Sequence, residues 1–171
     1  MFARSPTWPW VRKMSEILIR KATAQQAKVI AAFNQAMAME TEGTHLDDAV
    51  IIPGVKALLE NPQYGFYLVA EIEQQPVACL LATFEWSDWR NGLFWWIQGV
   101  YVIKDFRRQG IYQRLYEHLK EMALSEGGIC GFRLYAETGN QRAQDTYRNL
   151  GMEECPYRMF EQLMVKTEDN R

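Results

Sequence analysis

The residues best suited to chemistry lie in one stretch, "VYVIKDFRRQGIYQRLYEHL", Val100 to Leu119. It reads as a strand, a polar turn carrying Arg107 and Arg108, a glycine at 110, and then a helix. A helix N-terminus exposes unpaired N–H groups and the positive end of the helix dipole. Backbone that can approach a ligand closely completes a cradle for an anion. Gly110 permits that approach and an unusual φ, and the two arginines add charge, so a pyrophosphate is the expected occupant. A dinucleotide fits poorly, because the chain has no GxGxxG and no GxxxxGK[ST].

Gly99 lies inside the strand just before this turn. Glycine within a strand marks a bulge or a close backbone approach. A bulge here splays the strand from its neighbour and leaves N–H and C=O groups around Val100, Tyr101 and Val102 unpaired. An amide-bearing arm can pair with them as an added strand would. A ligand with a pyrophosphate at one end and a peptide-like arm is coenzyme A.

The elements that must position these residues follow from periodicity. Alternation predicts strands over Glu16–Ala22, Phe66–Ile72 and Val77–Glu85, the last two joined by a tight turn at Glu73–Pro76. Leu93–Val102 is apolar on both faces, as expected of a covered central strand. Further strands are expected at Gly131–Glu137 and Tyr157–Val165. Helical spacing predicts helices over Thr23–Glu40, with Thr23 as N-cap, and Gly110–Glu126, with a short one between Asn140 and Gly151. "AVIIPGVKALLEN" predicts another helix, broken near Pro53–Gly54. The order β-α-α-β-β-β-α-β-α-β predicts an α/β (mixed α+β) fold: one mixed sheet with helices on both faces.

In this order the chain resembles the GNAT superfamily of acetyl-CoA-dependent N-acyltransferases over nearly all of residues 15–165. "VYVIKDFRRQGIY" is similar to its CoA-binding motif, a strand ending V-x-V followed by [RQ]-x-x-G-x-[GA], matched by Arg107, Arg108, Gln109, Gly110 and Ile111. Tyr112 departs from it where Gly or Ala is usual. "ETGNQRAQDTYRNLGM" is similar to a second motif, matched by Asn140, Ala143, Tyr147, Gly151 and Met152. The resemblance implies a mostly antiparallel sheet splayed at a bulged strand. It implies acetyl-CoA as cosubstrate, bound by residues 100–102 and 107–112 with Asn140 and Tyr147, no metal, and pairing as a homodimer.

The implied reaction is direct acyl transfer to an amine in a ternary complex. An amine with pKa near ~10.4 must lose a proton to attack, and the developing oxyanion needs N–H donors. Tyr147 stands where many relatives carry the tyrosine that protonates the leaving thiolate. Some relatives carry a carboxylate base where this chain has Gln98, which can orient an acceptor or a water but cannot take a proton. Glu85, Asp88, Glu40, Glu42 and Asp47 remain as candidate bases. Glu42, Asp88 and Trp89 are candidate acceptor contacts, and acidic loops beside Trp86, Trp89, Trp95 and Trp96 fit a small cationic amine.

Composition bounds these readings. The 171 residues suit one domain, expected over 15–171, after an N-terminal tail of residues 1–14 in which Met14 is an alternative start. A net charge of -2 argues against nucleic acid, and no apolar run is long enough for a membrane span. Cys79, Cys130 and Cys155 are expected to be reduced, buried thiols of a cytoplasmic protein. Two readings compete with a small-molecule N-acetyltransferase. One is a GNAT-fold module that holds acyl-CoA without catalysis, and the other is acetylation of a protein N-terminus or lysine.

Overall fold

The structure is a computed structural model that describes residues 16–162 and 164. The expected tail of residues 1–14, with the alternative start at Met14, lies outside the described residues. The elements run β1 (Ile17–Lys21), α1 (Ala27–Glu42), α2 (Asp48–Glu60), β2 (Gly65–Ile72), β3 (Gln75–Ser87), β4 (Gly92–Val102), α3 (Ile111–Glu126), β5 (Ile129–Arg133) and α4 (Gln141–Asn149). The sheet order is β1-β2-β3-β4-β5, antiparallel from β1 to β4, with β5 parallel to β4.

Local chemistry accounts for the element ends. Glu73 and Gln74 both take positive φ, 50° and 64°, which gives the β2–β3 hairpin a two-residue turn that matches strand twist. Gln26 Oε1 accepts from the Thr23 N–H at 2.9 Å, and a 3₁₀ turn over Ala24–Gln26 leads into α1. The helix therefore starts later than the pattern predicts and runs two residues further. Asp47 Oδ1 accepts from the Ala49 N–H at 2.8 Å and caps α2. The expected break at Pro53–Gly54 does not occur, and α2 is continuous. Proline forfeits one backbone bond. Burial of Val55, with Ile51, Ile52, Leu58 and Leu59 packed beside it, holds the helix together.

Each face of the sheet carries helices, as the element order predicts. Ile111, Leu115, Tyr116 and Leu119 of α3 pack on Leu68, Leu80, Ala82, Trp95 and Ile97. On the other face Ile30 and Phe33 of α1 and Val55 of α2 pack on Tyr67, Val69 and Cys79.

Two features of β4 create the site. Leu81 pairs with Gly99 and Ala82 with Ile97, so Gln98 is an extra residue in a bulge. A Cβ at Gly99 would lie 3.1 Å from the Met37 methyl of α1, so glycine lets that helix approach. In addition, the β4–β5 ladder ends at Trp96 opposite Arg133, while β4 continues to Val102. From Ile97 onward no described strand pairs with β4 on the β5 side. The expected splay is present.

Three expectations need correction. β5 ends at Arg133 and not Glu137, because β4 has already diverged and offers no partner. Of the expected last strand, residues 157–162 are not in a strand, with Tyr157 and Phe160 exposed, and residues 163 and 165 lie outside the described residues. Cys79 is buried, and burial pushes its thiol up to about 12. Cys130 and Cys155 are exposed, Cys130 because it lies on the outermost described strand. No described helix is long and apolar enough to cross a membrane.

Candidate active site

The β4–α3 loop supplies an anion cradle. A 3₁₀ turn over Lys104–Phe106 is followed by two left-handed residues, Arg108 at φ 62° and Gly110 at φ 74°. The second conformation is where glycine has no steric cost. Space around Gly110 is open. No side chain caps α3, and its first turn holds no acidic residue, so its leading N–H groups and dipole face that space. Arg108 is exposed and has no ion-pair partner among the described residues. Gln109 folds back so that Nε2 donates to the Asp105 carbonyl at 3.1 Å. These residues fit a pyrophosphate held by backbone and one free guanidinium.

Arg107 is turned elsewhere. Its Nε donates to the Val102 carbonyl and its Nη2 to Glu40 of α1, both at 2.8 Å, and the guanidinium lies over the Tyr101 ring. Tyr101 Oη also donates to Glu40, and Lys104 Nζ is 3.6 Å from it. The Arg107 hydrogen bond is the main reason that the Glu40 carboxyl is held below its ordinary pKa. The charge left for an anion is that of Arg108.

Beneath the loop, Tyr112 points inward. Its ring packs edge-on against Tyr147 of α4, centroids 6.1 Å apart, and beside Tyr116. Its hydroxyl is buried with no partner among the described residues, and burial drives its pKa far up. The departure from the motif at 112 therefore leaves the loop mouth clear. Burial also raises the Tyr147 phenol. Asn140 caps α4, its Oδ1 accepting from the Ala143 N–H at 3.1 Å.

On the opposite face lies a polar and aromatic patch. Gln98 Nε2 donates to Thr83 Oγ1 at 3.0 Å, and Gln98 Oε1 accepts from Tyr135 Oη at 2.9 Å. The Trp96 and Tyr135 ring centroids are 6.2 Å apart. Glu85 accepts from the Trp96 indole N–H and from Arg133 Nη1, and these donors hold its pKa below the ordinary value. A carboxylate so satisfied is a poor proton acceptor.

The other acidic candidates are also placed. Asp47 is the α2 cap, and Asp88 Oδ1 accepts from the Trp89 N–H at 2.9 Å. Asp88 and Trp89 sit in a 3₁₀ turn before β4, and Gly92 and Gln98 are separated by roughly 20 Å of strand. They are not brought to the Gln98 patch. Glu42 ends α1, exposed. Trp95 is fully buried in the core, and only Trp96 of that pair faces the cleft. Sequence reasoning missed Thr83, Arg133 and Tyr135. For the last two the available signal was alternation, since 133 and 135 share one face of an extended segment.

Residues 27–152 match the acetyltransferase (GNAT) family. The chain belongs to that family. Among GNAT relatives, thialysine N-epsilon-acetyltransferase of Bos taurus is 34% identical over 103 residues, covering 56% of this chain and 59% of that protein. The Sus scrofa protein of the same name is 34% identical over 100 residues, with coverages of 54% and 57%. The chain thus spans less than two thirds of the length of these curated relatives. The crystal structure of a possible acetyltransferase from Clostridium difficile 630 superposes with a TM-score of 0.83 at 45% identity, covering 87% of this chain and 98% of that one. An aminoglycoside N-acetyltransferase in complex with CoA shares the fold, with a TM-score of 0.72 at 16% identity over 91% of this chain and 99% of that one.

Proposed function

We propose that the protein is an N-acetyltransferase that moves the acetyl group of acetyl-CoA to a primary amine of a small molecule, by direct attack in a ternary complex. The observation that carries this reading is the splay of β4 from β5, opening beside an uncapped α3 N-terminus. The names of the curated relatives and the CoA-bound fold neighbour support a small amine acceptor.

Acetyl-CoA supplies the activated thioester, and the chain supplies everything else. The free edge of β4 at Val100–Val102 receives the amide arm, and the backbone of residues 108–112 with Arg108 holds the pyrophosphate. Tyr147, whose burial keeps it protonated at neutral pH, holds a proton at Oη for the departing sulfur. As the C–N bond forms and the C–S bond breaks, that proton goes to sulfur. The amine's surplus proton leaves for solvent, since Glu40 and Glu85 are both occupied by cationic partners.

That occupation also favours a second reading, a module that binds acyl-CoA without turnover. Calorimetry with acetyl-CoA, followed by thiol release over a panel of amines, separates them. Binding with amine-dependent release, slowed about 100-fold in Tyr147→Phe at unchanged acetyl-CoA affinity, supports the enzyme and its acid. Binding without release on any amine supports the module, and no binding refutes both.

A further inference from the structure

The β4 and β5 backbones last pair at Trp96 and Arg133, and Gln98 and Tyr135 each lie two residues further on. Their 2.9 Å hydrogen bond therefore joins β4 to the segment that follows β5, where the two have already parted, across the mouth of the splay. Gln98 is the extra residue of the bulge, and Thr83 of β3 fixes its amide from behind. Tyr135 is 56% exposed even though its phenol is hydrogen-bonded, and the Trp96 ring stands beside it.

The two carboxylates that accept from β4 side chains are both paired with cations. Glu85 is paired with Arg133 at 2.6 Å, and the Arg133 guanidinium lies 3.8 Å from the Phe94 ring centre. Glu40 is paired with Arg107 and Lys104. The oxygens that Gln98 and Tyr135 themselves offer a ligand nitrogen are neutral ones. Tyr135 Oη gives its proton to Gln98 and keeps lone pairs, and the Gln98 carbonyl keeps a second lone pair.

We propose that Tyr135 and Gln98 together bind the acceptor nitrogen and determine specificity. They accept its N–H groups beside the Trp96 ring and select an amine of low charge over a polycation. The inference rests on the acetyl-transfer reading and names the acceptor class for the same site. Neutral oxygens in a partly desolvated cleft do not offset the cost of dehydrating several ammonium groups. They suit the uncharged free base, the form that can attack. With this pair holding two N–H groups, the nitrogen lone pair remains for the acetyl carbon.

The test uses the full chain and two probes, phenethylamine and spermidine, with thiol release as the rate and calorimetry for acetyl-CoA affinity. Wild type is expected to prefer phenethylamine in kcat/KM. Tyr135→Phe is expected to raise the phenethylamine KM about tenfold, the loss of one hydrogen-bond acceptor, with acetyl-CoA affinity unchanged. Gln98→Glu adds an unpaired carboxylate and is expected to shift the selectivity ratio toward spermidine by about tenfold or more. The proposal is overturned in an active enzyme if Tyr135→Phe leaves the acceptor KM unchanged or weakens acetyl-CoA binding by the same factor. It is equally overturned if Gln98→Glu leaves selectivity where it was. Absence of acetyl-CoA binding, or of thiol release with both probes, appears in wild type before any variant is made. Absence of binding removes the acetyl-transfer reading and this proposal with it, while binding without release on either probe overturns this proposal alone.

Discussion

Glu40 of α1 holds Arg107 of the β4–α3 loop in a 2.8 Å ion pair, joining residues 67 positions apart in sequence. The helix whose Met37 packs on Gly99 thus also anchors the loop that forms the anion cradle. Both side chains are partly exposed, so the pair contributes at most about 1 kcal/mol.

Glu40→Gln is expected to lower Tm by about 2–4 °C at pH 7. The Glu40 carboxyl titrates below its ordinary value in the fold. Its stabilisation is therefore complete above the unfolded carboxyl pKa near ~4.3 and disappears as pH falls through the lower folded value. The Tm gap between wild type and variant should close as pH falls below the ordinary carboxyl range. Thermal melts across pH check this, and a gap that persists in acid would show that the ion pair is not its origin.

With Glu85 and Glu40 engaged by cations, the proposed route sends the amine's proton to solvent. The expected log(kcat/KM) for the acceptor rises with unit slope toward the amine's own pKa, near ~10.4 for an alkylamine, with no plateau from a group titrating between about 6 and 8. Glu85→Gln should leave that slope unchanged. A plateau near neutrality that vanishes in Glu85→Gln would restore Glu85 as the base.

The Tyr112 hydroxyl is buried without a partner among the described residues. Removing such a group relieves a desolvation cost. Tyr112→Phe is expected to leave Tm unchanged or raise it, by up to about 4 °C, the equivalent of about 1 kcal/mol. A drop in Tm of similar size would mean that the hydroxyl has a partner after all.

Gly65 begins β2 at φ 150°, and a Cβ there would lie 2.1 Å from the Ala82 carbonyl oxygen of β3. The conformation and the contact both exclude a side chain, since the Ala82 oxygen and the Thr83 Cα that a Cβ would meet are backbone. Gly65→Ala should cost at least ~2 kcal/mol, seen as a fall in the denaturant midpoint. An unchanged midpoint would require β2 and β3 to part at this end.

Most of the architecture was legible because local signals carried it. The Arg107–Gly110 turn, the helix start near Asn140 and the glycine at 99 each express a backbone requirement readable from a few adjacent residues. What was not legible depends on partners distant in sequence. The direction of Arg107 is decided by Glu40, and the Glu85 pairing by Arg133. Tyr135 matters only because Gln98 stands opposite it. The proline in α2 read as a break because the tertiary contacts that hold the helix across it leave no local mark. The stretch 157–162 carries the aromatic residues of a strand former, yet it forms no ladder, since composition records a tendency and pairing needs a neighbour.

The extra residue at Gln98 also shifts the phase of β4. Before it, the odd-numbered Trp95 and Ile97 fill the α3 core, and after it the even-numbered Val100 and Val102 do. Straightening the bulge with Gln98 retained would restore an uninterrupted two-residue beat and send Gly99 and Tyr101 into the place of those valines. The core would lose two well-fitted side chains, and Glu40 would lose its tyrosine. One inserted residue therefore acts as a frame shift within the strand, and the positions on either side of it cannot be exchanged without resetting which side of the sheet each one serves.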